Sequence, residues 1–291
     1  TDPSLKPSDY WADFCNYFEY VFKLDDDELK YIRRHTYHLT SDIYQRYYFA
    51  SKEYKQLILS GFDLFSGLLG GFVYDETEYG IGVEGPLCRV SHDSLRYLGI
   101  LVDLQESPFP LHAPQTVLEL GGGYGGLARC LLTYNKQCSY CICDLEETLF
   151  FSFVYLSNML GEDKVHLIEH SLDQSGMAPG NVYLTPQSAI HNINGISFDL
   201  TINQQSLQEM KRSQVFRYID FIKKHSRYFY SCNLDSHEPG IAREKGLVEN
   251  LTGELTAFFG PPAWKGRVPE IQHSFGDHIP SIDRLLYSCG G

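Results

Sequence analysis

The chain has 291 residues, 43% of them hydrophobic, and a formal net charge of −13. It is long enough for one large domain or a domain with a sizeable appendage, and apolar enough for a packed core. The acidic balance disfavours nucleic acid as a partner, no stretch approaches the roughly 18 to 20 apolar residues of a spanning helix, and no secretory signal pattern opens the chain.

Residues 1 to about 112 read as mainly helical. Trp11, Phe14, Phe18, Val21 and Phe22 fall at helical spacing, with Ser8 or Asp9 as the cap. Asp25, Asp26 and Asp27 supply the acidic start of another helix. An aromatic segment with Tyr44, Tyr47, Tyr48 and Tyr54 follows, and the glycine-rich stretch from Leu64 to Gly85 reads as loop. Ser91 begins one more helix, burying Leu95, Leu98 and Leu101 or Val102.

The pattern changes after Pro114. Strands are expected at Thr116–Leu120, Ser139–Cys143, Val165–Ile168, Asp199–Asn203 and Tyr228–Asn233. Helices are expected at Leu127–Tyr134, Leu149–Leu160 and from about Ser206 to His225. Short alternating units of this kind build a parallel α/β sheet. Residues 235 to 280, with Pro261, Pro262 and Pro269, break the rhythm and read as an insertion or lid, before a closing strand at Ile282–Tyr287.

The segment Val117-Leu118-Glu119-Leu120-Gly121-Gly122-Gly123-Tyr124-Gly125-Gly126 runs from strand through glycine turn to helix. Glycines let the backbone bend sharply and approach a ligand closely, and the helix start adds unpaired N–H groups. Two cofactor classes compete for it. Gly121, Gly123 and Gly126 satisfy the dinucleotide fingerprint, which is weak alone. Glu119, Gly121, Gly123 and Gly125 satisfy the acidic-x-G-x-G-x-G pattern of S-adenosylmethionine enzymes. Glu119 discriminates: a carboxylate there suits the ammonium of a methionine moiety and repels a pyrophosphate. Asp144, at the end of the second strand, suits both ribose hydroxyls of either cofactor. Gly122, Tyr124, Leu145, Asn203 and Gln204 complete the expected cofactor site. Leu172–Asp173 or Pro186–Ala189 should flank the adenine.

Glu119-Leu-Gly-Gly-Gly-Tyr-Gly-Gly, Cys143-Asp144-Leu145 and the run from Phe198 to Met210 together resemble a family of sugar O-methyltransferases from bacterial carbohydrate and natural-product clusters. The resemblance covers roughly residues 80 to 291. It implies a Rossmann-like class I methyltransferase domain over residues 113–291, with the helical residues 1–112 as acceptor or lid region. It also implies S-adenosylmethionine as donor and a sugar hydroxyl as acceptor. An NAD-type oxidoreductase and a non-catalytic methyltransferase-like binding domain are the alternatives.

A hydroxyl acceptor needs its proton taken, so a general base is expected. Glu209 is the first candidate; it shares the spacing of Asn203 and Ser206, and its alternative role is to cap the following helix. Asp235 and His237, after the next strand, come second. Ser206, Trp264 and Tyr44 are candidates for acceptor contact. The histidines show no H-E-x-x-H or paired metal spacing, so no metal is expected. The eight cysteines, with Cys141 and Cys143 on one face of a strand, read as small buried residues rather than zinc ligands, which points to the reducing cytosol. The chain begins at Thr1 and is read as a segment of a longer biosynthetic protein or as a homo-oligomer.

Overall fold

The computed structural model describes residues 9–36, 39, 83–84, 89–90, 92–234, 239–268, 271–272, 278–279 and 282–289. Helix α1 (Asp9–Tyr17) continues into a 3-10 turn, Phe18–Lys23. Helix α2 (Asp26–Leu29) starts at Asp25, whose side chain accepts the Glu28 N–H while Glu28 accepts the Asp25 N–H. A short ladder pairs Val83–Glu84 with Arg89–Val90, and α3 spans His92–Glu106.

The main sheet has eight strands: β1 (Thr116–Leu120), β2 (Ser139–Asp144), β3 (Val165–Leu167), β4 (Val182–Pro186), β5 (Phe198–Gln204), β6 (Ser226–Leu234), β7 (Trp264–Val268) and β8 (Ile282–Ser288). Their order is β3-β4-β2-β1-β5-β6-β8-β7. The first six run parallel, and β8 is antiparallel to both β6 and β7. Helices α4 (Gly126–Tyr134), α5 (Glu146–Leu160), α6 (Arg212–His225), α7 (Pro239–Lys245) and α8 (Leu251–Phe259) complete the set used below. The fold is α/β and Rossmann-like, with an antiparallel strand inserted before the edge.

Strand alternation sends successive side chains to opposite faces. Val117, Tyr140, Ile142, Leu200, Ile202 and Tyr230 meet α3, α4 and α5 on one face. Leu118, Leu120, Cys141, Cys143 and Phe229 meet α6 and α8 on the other. The N-terminal segment packs outside α5: the Phe18 ring meets Phe151 edge-on at 4.8 Å, and Phe22 meets Phe150 at 4.9 Å.

The structure departs from the sequence reading in four places. Val182–Pro186 is a full strand between β2 and the short edge strand β3. Helix α5 begins at Glu146, directly after Leu145. The helix expected from Ser206 begins at Arg212, preceded by a separate 3-10 turn at Leu207–Glu209. Within 235–280, α8 packs on the sheet and β7 joins it as an edge strand. Among the described residues no helix is long and apolar enough to cross a membrane.

Candidate functional site

The chain order reverses where β1 lies between β2 and β5, and ligands in such sheets bind outside the carboxyl ends at that point. The glycine turn occupies this position. Its first residue, Gly121, has φ +75°, and its N–H donates to the Cys143 carbonyl at 2.9 Å. A methyl group there would overlap Ser206 Oγ and lie 2.6 Å from Ser206 Cβ. Glycine is therefore required by both backbone and neighbour.

The turn is held from beneath. Asn203 Nδ2 donates to the Leu120 carbonyl at 2.8 Å, and Ser206 Oγ donates to the same oxygen at 3.1 Å. Asn203 Oδ1 accepts from the Leu207 N–H and from Asn233 Nδ2. Asn203 is buried and spent on these bonds. It fixes the ends of β1 and β5 relative to each other rather than facing outward. Tyr124 is also buried, its ring edge-on to Tyr155 at 4.9 Å and beneath the Arg33 guanidinium at 4.3 Å. Gly122 lies against Ile142 and Glu119, where a Cβ would fall 2.6 Å from Ile142 Cγ2.

Asp144 ends β2 beside the turn. Its Oδ2 accepts the Gly123 N–H at 2.9 Å and its Oδ1 the Leu145 N–H at 2.7 Å. Burial pushes this carboxyl up to about 6, opposed by those two bonds. Pro186 stands opposite Asp144 in register, so 186–189 adjoins the site. The segment at Leu172–Asp173 does not. It runs back to the amino end of the sheet, where Gln174 bonds Thr116 Oγ1 and the Ser197 N–H.

Glu119 is fully buried in β1. Its Oε2 accepts the Tyr140 hydroxyl at 2.9 Å. Its Oε1 has no hydrogen-bond partner among the described residues, and neither has Oε1 of Gln204, which shares that face on β5. Burial pushes the Glu119 carboxyl up to about 7; bonds from Tyr140 and Gln204 pull it down, Asp144 raises it and Arg96 lowers it.

Glu209 does not cap a helix. Its Oε2 accepts the indole N–H of Trp11 at 2.9 Å, across 198 positions of sequence. Burial pushes this carboxyl up to about 7, with the Trp11 bond opposing. One turn further along α1, burial and then Glu147 and Asp144 push the Cys15 thiol up to about 12. Helix α1 therefore touches the 3-10 turn after β5 and the first turn of α5, which follows β2, on either side of the glycine turn.

Sequence reading also missed an ionic connection. Arg33 is fully buried, and its Nη2 lies 3.2 Å from Asp93. Arg96 lies 3.0 Å from Asp93 and donates to Gln205 Oε1 at 2.6 Å. Gln205 has φ +54°, unusual for a residue with a side chain. The charged pair Asp93 and Arg96 in the first turns of α3 was the available signal.

Trp264 is not brought to the site. It begins the edge strand, packs by Arg284, and stands four strands from β1, about 19 Å at the usual spacing. Tyr44, Asp235 and His237 lie outside the described residues. Among the described residues no three His, Cys, Asp or Glu side chains converge as metal ligands.

No family profile and no curated protein matches the sequence. Among solved structures, the chain is similar to N-methyltransferase NodS from Bradyrhizobium japonicum in complex with S-adenosyl-l-homocysteine. That match has 13% identity, covers 66% of this chain and 85% of that one, and has a TM-score of 0.45. An O-methyltransferase family protein from Burkholderia thailandensis aligns with 13% identity over 82% of this chain and 71% of its own, TM-score 0.41. A Thermoplasma acidophilum protein aligns with 13% identity over 67% and 88%, TM-score 0.45. These scores lie below 0.5, so the fold assignment rests on the strand order above.

Proposed function

We propose that this chain transfers a methyl group from S-adenosylmethionine to a hydroxyl of a sugar or glycosylated natural product. The observation that carries the donor is the pair of buried acceptors Glu119 Oε1 and Gln204 Oε1 beneath the glycine turn, neither with a hydrogen-bond partner among the described residues. A buried acceptor without a donor is costly. An ammonium supplies donors there, whereas a pyrophosphate would face a carboxylate. Both Asp144 oxygens already accept one N–H, and each retains a lone pair for a ribose hydroxyl. When bound, the donor supplies a methyl activated on a sulfonium.

The remaining chemistry belongs to the chain. Glu209 takes the proton of the acceptor hydroxyl, whose oxygen would receive the methyl that a bound donor gives up, the bonding pair remaining on the donor's sulfur. Burial pushes the Glu209 carboxyl up to about 7, close to neutral pH, where a general base is most effective. The sugar follows from the resemblance of the glycine turn and the Phe198–Met210 run, and the hydroxyl from Glu209 as base.

Calorimetry with S-adenosylmethionine and with NAD separates the two cofactor classes. Asp144→Ala should weaken S-adenosylmethionine binding by about 1.5 to 3 kcal/mol, the worth of hydrogen bonds to a charged group. Methyl transfer to a panel of glycosides tests the acceptor. Tight NAD binding without S-adenosylmethionine binding would overturn the reading, and cofactor binding without transfer to any hydroxyl would leave a binding domain.

A further inference from the structure

We infer that Trp11 is a positioning residue for Glu209: its indole N–H holds one carboxylate oxygen so that the other is presented to the acceptor hydroxyl. This rests on Glu209 acting as the base in the function proposed above.

The indole nitrogen is a donor only. Bonded to Oε2 at 2.9 Å, it fixes the carboxylate plane and directs an arriving proton to Oε1. The contact is built, not incidental. Trp11 is half-buried, packs with Phe14 at 5.6 Å between ring centres, and adjoins the core. Trp11 and Cys15 are four residues apart and share a helix face, about 6 Å apart along the axis. The segments they touch, the 3-10 turn after β5 and the first turn of α5 after β2, follow strands two spacings apart, about 10 Å. Side-chain reach closes the difference, so α1 lies across the carboxyl edge with Trp11 over the turn that carries Glu209.

Few charges bear on this carboxyl. On α1, Asp13 is exposed. From the β2 side, Asp144 and Glu147 act on Cys15. Beyond the turn come Lys211 and Arg212, and Arg212 is bonded to Glu254 at 2.7 Å. Burial and the indole bond are the causes that set Glu209.

Two measurements on the full chain test the inference. The first is the pH profile of single-turnover methyl transfer with saturating cofactor. Trp11→Phe keeps a ring and loses the N–H that favours the carboxylate. Its acidic limb should move up by about one pH unit, close to tenfold in rate on that limb, with the cofactor Kd unmoved. A purely structural role for Trp11 would lower the rate at every pH and leave the limb in place. The second needs no activity. The chain has two tryptophans, so Trp264→Phe leaves Trp11 as the sole tryptophan, excited selectively over the tyrosines. Its fluorescence should titrate near pH 7, and Glu209→Gln in that background should abolish the titration. A Trp11→Phe profile superimposed on wild type, or Trp11 emission indifferent to pH, overturns the inference. Emission that titrates in a chain that methylates nothing upholds the contact and overturns its catalytic use together with the proposed function.

Discussion

Glu119 pairs a stability cost with the binding use proposed for it. Its carboxyl ionises near 4.5 in the unfolded chain and near 7 in the folded one. The folded state therefore binds that proton more tightly, and between these two pH values stability falls as pH rises. Above about pH 7 the cost is complete, on the order of 3 kcal/mol. Glu119→Gln removes the charge and sets an amide near Gln204. Denaturant melts should show the variant more stable than wild type at pH 8 and equal to it at pH 4. The same variant should bind S-adenosylmethionine more weakly. For wild type, affinity should rise from pH 6 to pH 8 as the carboxylate forms. A variant no more stable than wild type at pH 8 would mean that the buried carboxylate is already compensated. The acid and its position before the glycines were legible in the sequence; its burial against Tyr140 was not, because that contact exists only once β1 and β2 pair.

At the scale of elements, the strand–glycine–helix unit was the most legible part of the chain. Thr116–Leu120 forms the expected strand, and the turn enters α4 through Gly125 at φ +88°. Gly121→Ala tests how tightly the unit is held. The positive φ alone costs a residue with Cβ about 1 to 2 kcal/mol, and the overlap with Ser206 adds to it. Ser206→Gly in the same chain should recover the steric part and leave the conformational part, read as unfolding free energy in urea. Full recovery would show that the backbone at 121 relaxes. Other elements were harder to see. Val182–Pro186 is a short apolar strand between Gly180 and a proline, with no periodicity of its own. Gln205 in the left-handed region and the 3-10 turn after it delay α6 to Arg212, which takes Glu209 off the helix. Pro261 and Pro262 occupy the connection between α8 and β7, so the chain looked interrupted where it only turns. Trp11 and Glu209 meet through tertiary packing across the whole chain, which no local spacing encodes.

At the scale of the molecule, α3 is tied to the far half of the sheet through a buried carboxylate. Asp103 on α3 accepts the Tyr230 hydroxyl from β6 at 2.5 Å and Arg284 Nη1 from β8 at 2.6 Å. Burial pushes the Asp103 carboxyl up to about 7, against the pull of Arg284 and Tyr230. At Asp103 lost solvation thus outweighs the attraction, as it can in buried ion pairs. Removing one partner is a different matter. Arg284→Met leaves a buried carboxylate with only a phenol for company, and should destabilise the fold by about 3 to 5 kcal/mol. Adding Asp103→Asn removes the stranded charge, keeps an acceptor for Tyr230, and should restore most of that loss. Single and double variants measured by chemical denaturation give the coupling directly. Simple additivity of the two losses would mean that α3 and the closing strands are joined by apolar packing alone.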